Sequence, residues 1–249
     1  MVTKAELERI VKKAGLLLLD YYGKQVSIHE KGPLQLVTQA DLASEQLLKQ
    51  ELLSLLPGAA ILSEEKASQE GNNEYCWVVD PLDGTNNFAH SIGYFCVSVA
   101  LMYKNEIIQG AIYQPLLNEF FYAERGGGSY LNGVSIKAAS QVKSPMLSFA
   151  YLEAKQYKHL IDQVPFAYTF RHLGAAALDM AYVACGRIDG MISQGLYWWD
   201  LAAGVLLVQE AGGKVADFTG RNVHKDSTSC IATTPQIYPL LATILCDDV

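Results

Sequence analysis

The sequence predicts a mixed fold of the α/β (α+β) class: two helices, then an antiparallel meander, then an alternating α/β half. Three observations lead there. Apolar residues recur at helical spacing in the first 56 positions, behind helix-start signals. Between 94 and 136, short strand-like runs are separated by brief turns rich in Gly and Asn. From 145 onward, helical patterns closed by glycine alternate with further strands. No internal repeat or low-complexity linker interrupts this order. Half of the 249 residues are apolar and 18% are charged, enough to bury a sizeable core.

Thr3-Lys4-Ala5-Glu6 has the form of a capping box, in which hydroxyl and carboxylate satisfy each other's backbone donors. Leu7, Ile10, Val11, Ala14, Leu17 and Leu18 then fall on one helical face, and the helix is expected to end near Tyr22-Gly23. A second helix is expected over about 41–56, stopped by Pro57-Gly58. Strands at 60–62 and 76–79 precede strands at 94–103, 107–113 and 118–123. Gly126-Gly127-Gly128 and Asn132-Gly133 punctuate another hairpin, and the Asn-Gly pair favours a type I′ turn. Helices over 175–185 and 201–211 close on Gly186 and on Gly212-Gly213.

Composition narrows the function classes. A net charge of −7 with no basic stripe argues against a nucleic-acid partner. The longest apolar stretch, 94–103, is about half a membrane span, so no membrane partner is expected. Charges recur through the N-terminal segment and leave no signal-peptide core, so a cytoplasmic location is expected. Five cysteines without a CxxC pair read as reduced thiols packed as small hydrophobes. No HxxxH spacing supports a zinc site.

The most informative stretch is Asp80-Pro81-Leu82-Asp83-Gly84-Thr85. An apolar strand delivers Asp80 at its end, Pro81 removes a ladder donor, and Gly84 permits a sharp turn. Such a turn points two carboxylates and the Leu82 carbonyl at one spot, a set of hard oxygen donors suited to Mg²⁺. Taken alone, the same pattern is also a plain surface turn. Two further acids weigh against that. Glu64 and Glu65 follow the strand at 60–62, and Trp199-Asp200 opens the helix at 201, where Asp200 is placed to serve as N-cap.

These segments together resemble the inositol monophosphatase family of metal-dependent phosphomonoesterases. Further matches are Leu36-Val37-Thr38-Gln39-Ala40-Asp41, Gly174-Ala175-Ala176-Ala177-Leu178 and Glu210-Ala211-Gly212-Gly213, in the family's order. The resemblance implies a layered αβαβα sandwich of the inositol monophosphatase/fructose-1,6-bisphosphatase type. It also implies one catalytic unit with an N-terminal lobe over about 1–143 and a C-terminal lobe over about 144–249. Glu64, Asp80 and the Leu82 carbonyl would hold a first Mg²⁺, and Asp80, Asp83 and Asp200 a second; a third ion would be reached from Glu64 through water. Glu64 and Thr85 would orient the attacking water, with Asp41 supporting Thr85. Gly84 and Thr85 N–H groups would hold phosphate, and Asp83, Gly174, Ala175, Ala176 and Asp200 would line the substrate pocket, near Tyr197 and Trp198. Lithium sensitivity and a homodimer are further implications. Four carboxylates about 5 Å apart repel by about 3 kcal/mol per pair at an effective dielectric of 20, so without cations such a cluster would be strongly unfavourable or would protonate.

The pattern departs from the family at one position that matters for substrate. Inositol-phosphate members carry a glutamate seven residues before the WD aspartate, where this chain has Ser193. A small phosphorylated metabolite, foremost inositol 1-phosphate, is therefore expected alongside 3′(2′),5′-bisphosphate nucleotidase and fructose-1,6-bisphosphatase alternatives. A phosphatase-like binding or regulatory protein is the alternative of a different class. Trp199 is read as core packing and Trp198 is left open; Gly126–Gly128 is read as a hairpin turn, because no Lys-Ser/Thr follows it.

Overall fold

The computed structural model describes residues 2–24, 28–32, 35–65, 69–72, 74–150, 152, 154–165 and 168–246. In chain order the elements are α1 (Lys4–Leu19), β1 (Ile28–Gly32), β2 (Gln35–Thr38), α2 (Gln39–Leu55), β3 (Ala60–Ser63), β4 (Tyr75–Asp83) and α3 (Thr85–Ala89). A meander follows: β5 (Cys96–Tyr103), β6 (Glu106–Gln114), β7 (Glu119–Glu124), β8 (Gly128–Leu131) and β9 (Val134–Ile136). The remaining elements are β10 (Met146–Ala150), α4 (Ala154–Gln163), β11 (Thr169–Arg171), α5 (Ala176–Ala184), β12 (Gly190–Gln194), α6 (Trp198–Glu210), β13 (Lys214–Ala216), β14 (Ser229–Thr233) and α7 (Tyr238–Cys246).

Strands β3 to β9 form a seven-stranded sheet in sequence order, and a five-stranded sheet has the order β11-β10-β12-β14-β13. β1 and β2 pair as a separate antiparallel ribbon. In the first sheet only β3 and β4 run parallel; the rest is the expected meander. Its tight turns carry the residues that accept positive φ: Lys104 and Asn105 at +49° and +67°, Asn132 and Gly133 at +49° and +82°.

Alternation along each strand sorts side chains into separate cores. Trp77, Val79, Val97, Val99 and Leu101 pack with Leu7, Ile10, Val11 and Leu18 of α1 and Leu48 and Leu52 of α2. Val78, Cys96, Ala100 and Met102 face the other way, against α5 and α6, which also cover Met191 and Ala232 of the second sheet. Leu147, Phe149, Ile192 and Ile231 close the far face with Leu160 of α4 and Leu241 of α7. The layers therefore run α, β, α, β, α. Lying between two sheets, α6 is buried on every side from Leu201 to Val208. Gly204 permits this closeness, since a Cβ there would lie 2.6 Å from Cβ of Met180 on α5.

Helix α1 begins as expected, with the Glu6 N–H donating to Thr3 Oγ1 at 3.3 Å and the Thr3 N–H to Glu6 at 2.9 Å. The glycine-rich turn at 126–128 is also as read: the Gly126 and Gly128 N–H groups donate to the Glu210 carboxylate at 2.8 and 2.9 Å, tying the hairpin to α6. Cys76, Cys96, Cys185 and Cys230 are free thiols, while the Cys246 side chain lies outside the described ones. Among the described residues no helix is long and apolar enough to cross a membrane.

Candidate active site

The centre of the site is a bulge. Asp80 pairs with Ser98 and Asp83 with Cys96, so Pro81 and Leu82 stand opposite the single residue Val97. Pro81, with no N–H to give the ladder, sits where no ladder bond is needed. The strand does not stop at Asp80, as the proline implied; it resumes at Asp83 because the bulge absorbs the missing donor. Gly84 then turns at φ +89°, where a Cβ would lie 2.9 Å from the Tyr94 carbonyl, and leads into α3.

The two aspartates are buried and face different donors. The Leu82 N–H donates to Asp80 Oδ1 at 3.0 Å. Asp83 accepts the N–H groups of Ala176, Ala177 and Leu178 at 3.1, 2.8 and 3.3 Å. Ala175, at the N-cap of α5, has no side-chain acceptor, so Asp83 caps that helix from another layer. Asp200 is not the N-cap of α6. It is the third helical residue and accepts the Tyr197 N–H at 2.8 Å.

Burial without a counter-charge governs the electrostatics. Desolvation, then Glu64, Asp83 and Asp200, hold the Asp80 carboxyl well above its usual range. Asp83 is pushed up to about 7 by burial and then by Asp179. Asp200 is pushed up to about 7 by burial and then by Asp83. Beside them, the Thr85 hydroxyl lies 2.9 Å from Asp41 Oδ1 and 3.0 Å from the Leu82 carbonyl, with one hydrogen to give. The other oxygen of Asp41 accepts the Thr38 N–H and hydroxyl at 2.9 and 2.5 Å, which locks the carboxylate in place.

Glu64, Asp80, Leu82, Asp83, Gly84, Thr85, Gly174, Ala176 and Asp200 all line one cavity of about 480 Å³. Two expected residues do not. Asp41 stands behind Thr85, as the resemblance implied, and Ala175 is 1% exposed, its methyl directed at Gly84. Trp198, left open by the sequence, is buried with its indole N–H on Met102 Sδ, while Trp199 packs against the core as read and also lines the cavity.

A family profile for inositol monophosphatases matches residues 2–248. The chain belongs to the inositol monophosphatase family. Inositol-1-monophosphatase of Mesorhizobium japonicum is 40% identical over 234 residues, covering 88% of this chain and 87% of that protein. Nus factor SuhB of Escherichia coli is 38% identical over 240 residues, with 92% and 90% covered. The crystal structure of extragenic suppressor protein suhB from Bartonella henselae superposes with a TM-score of 0.91 at 34% identity, over 98% of each chain.

Inositol monophosphatases are phosphoric monoester hydrolases and are generally metal-dependent, so the donor set has to be tested against a cation. Its chemistry fits: hard oxygens only, from groups whose mutual repulsion a cation relieves. Among the described residues, however, no three Asp, Glu, His or Cys side chains stand together ready to hold a metal ion. Asp80 and Asp200 each accept an amide N–H on one oxygen, so the second oxygen of each can face a cation without loss of that bond.

Several site residues escaped the sequence reading. Asn87 donates to the Tyr94 and Leu173 carbonyls at 2.8 and 2.7 Å, tying the segment before Gly174 to α3. Asp179, fully buried, accepts the Tyr94 hydroxyl at 2.7 Å and the Ser148 hydroxyl at 2.5 Å. Phe149 of β10 and His172, just after β11, line the cavity from the C-terminal half of the chain. Asn87 is the second residue after the quoted motif, so its position was a usable signal; the others depend on tertiary contact. Ser193 is fully buried in β12, and its hydroxyl finds no partner among the described residues.

Proposed function

We propose that the chain is a Mg²⁺-dependent phosphomonoesterase acting on a small phosphorylated alcohol, with inositol 1-phosphate the first substrate to test. The observation that carries this reading is the convergence of Glu64, Asp80, the Leu82 carbonyl, Asp83 and Asp200 on one cavity, beside a Thr85 hydroxyl fixed by Asp41. Glu64, Asp80 and Leu82 would hold one cation and Asp80, Asp83 and Asp200 another, with a third reached through Glu64. Bound Mg²⁺ supplies Lewis-acid stabilisation of phosphoryl and leaving-group oxygens and makes water more acidic.

The remaining chemistry belongs to the chain. The Thr85 hydroxyl has one hydrogen and two acceptors, and with the Leu82 carbonyl assigned to a cation that hydrogen would go to Asp41. The Thr85 oxygen is then left to accept from a water, which Glu64 holds from its other side. Gly84 and Thr85 N–H groups orient the phosphate. Asp83, bound to three amides of α5, fixes the pocket wall at Gly174 and Ala176 relative to the acids.

The same reading includes one catalytic unit of two lobes, a cytoplasmic homodimer and lithium sensitivity. Phosphate release from inositol 1-phosphate, fructose 1,6-bisphosphate and adenosine 3′,5′-bisphosphate, with Mg²⁺ and with EDTA, tests it. Mg²⁺-dependent release from at least one supports the proposal, and no release from any refutes it. One observation favours a second reading, a binding or regulatory role: a relative at 38% identity bears the name Nus factor. Absence of turnover with intact Mg²⁺ binding is the result that reading predicts.

A further inference from the structure

We infer that the alcohol part of the substrate is gripped by aromatic rings, and that the preferred substrate is a phosphate monoester whose alcohol carries a flat unsaturated ring. This rests on the phosphatase reading above and adds the class of alcohol to it. The acids Glu64, Asp80 and Asp83 reach the cavity from the first sheet and the loop after β3. The segment after β11 and the start of α6 contribute rings, His172, Tyr197 and Trp199, beside the fourth acid, Asp200.

These rings are held in place before any ligand arrives. Tyr197 and Trp199 stack at 4.7 Å with an interplanar angle of 16°. The His172 ring rests against Phe149 at 5.9 Å and Tyr157 at 5.7 Å. Held rings lose little freedom on binding, which favours a ligand with matching flat faces. Tyr197 keeps 52% of its surface exposed, and His172 is exposed as well, so both have surface to offer.

A polyhydroxylated ring needs the opposite lining. Each of its hydroxyls loses a water partner on entering and requires an acceptor in return. Beyond the four acids proposed as cation ligands, no carboxylate is among the described residues lining the cavity. The position that would carry one, Ser193, is fully buried and outside the lining. Asn87, which does line it, donates its side-chain N–H groups to the Tyr94 and Leu173 carbonyls, leaving its Oδ1 as one acceptor for a ring that carries several hydroxyls.

The test compares kcat/KM of the full chain, with Mg²⁺, for benzyl phosphate, cyclohexylmethyl phosphate and inositol 1-phosphate. The first two leaving alcohols are close in size and acidity, so their ratio reads the ring face. Benzyl phosphate is expected to exceed the saturated analogue by about tenfold, and to exceed inositol 1-phosphate. Tyr197→Leu and His172→Leu, both at exposed positions, are expected to bring the benzyl to cyclohexylmethyl ratio toward one. A higher kcat/KM for inositol 1-phosphate overturns the inference and leaves the phosphatase reading standing, as does a ratio that neither variant changes. Release from none of the three overturns the phosphatase reading and the inference with it.

Discussion

Replacing Asp83 by asparagine should stabilise the metal-free protein while weakening its response to Mg²⁺, because one of the two proposed cation positions loses a ligand and the other keeps all of its own. In the folded chain the Asp83 carboxyl is pushed from 3.8 to about 7, first by burial and then by Asp179. A raised folded-state pKa means a stability contribution present below about 4 and lost as pH rises through about 7. At pH 8 that loss is complete, and a shift of about three units corresponds to about 4 kcal/mol. Asparagine removes the charge but presents an N–H₂ where one of three amides now donates, which costs about 2 kcal/mol. The net gain of about 2 kcal/mol raises Tm by roughly 4–8 °C for a chain of this size. The assay is thermal unfolding in EDTA at pH 8 and pH 5, then with Mg²⁺ at pH 8. Asp83→Asn should melt higher than wild type at pH 8, match it at pH 5, gain less from Mg²⁺ than wild type does and lose most of its turnover. A variant that melts well below wild type at pH 8, or keeps the full wild-type rise with Mg²⁺, would show this reading of Asp83 to be wrong.

Three further outcomes follow from the same geometry. Mg²⁺ should raise the Tm of wild type more at pH 8 than at pH 6, because protons compete for Asp80, Asp83 and Asp200, all with raised pKa values; calorimetry at both pH values checks this. Thr85→Ala should lower kcat by about 100-fold or more with KM little changed, since the hydroxyl acts on the attacking water rather than on substrate, as steady-state kinetics would read. Gly204→Ala should destabilise by about 1–3 kcal/mol, because the new Cβ would lie 2.6 Å from Cβ of Met180 between two packed helices; denaturant unfolding measures it.

The parts of this fold that sequence made legible are those set by neighbouring residues. Thr3 and Glu6 cap α1 within one turn, and Asn132-Gly133 accepts the φ values its hairpin requires. The acids were legible because Pro81 and Gly84 constrain the backbone around them. What depended on contact between layers was not. Asp83 caps α5 from 93 residues away, and no pattern at Ala175 announces it. Helix α6 is buried all round, so its periodicity carries no face, and the role of Trp198 could not be read from it. Asp179 reads as an ordinary helical acid until Tyr94 arrives from the loop before β5 and Ser148 from β10.

The central claim, that these acids and the Leu82 carbonyl form a cation site, is tested most directly by a crystal structure with Mn²⁺ recorded at an anomalous wavelength. At least two anomalous peaks are expected, one touching Glu64, Asp80 and the Leu82 carbonyl and one touching Asp80, Asp83 and Asp200. No peak in the cavity, or a peak that contacts none of these oxygens, would contradict it.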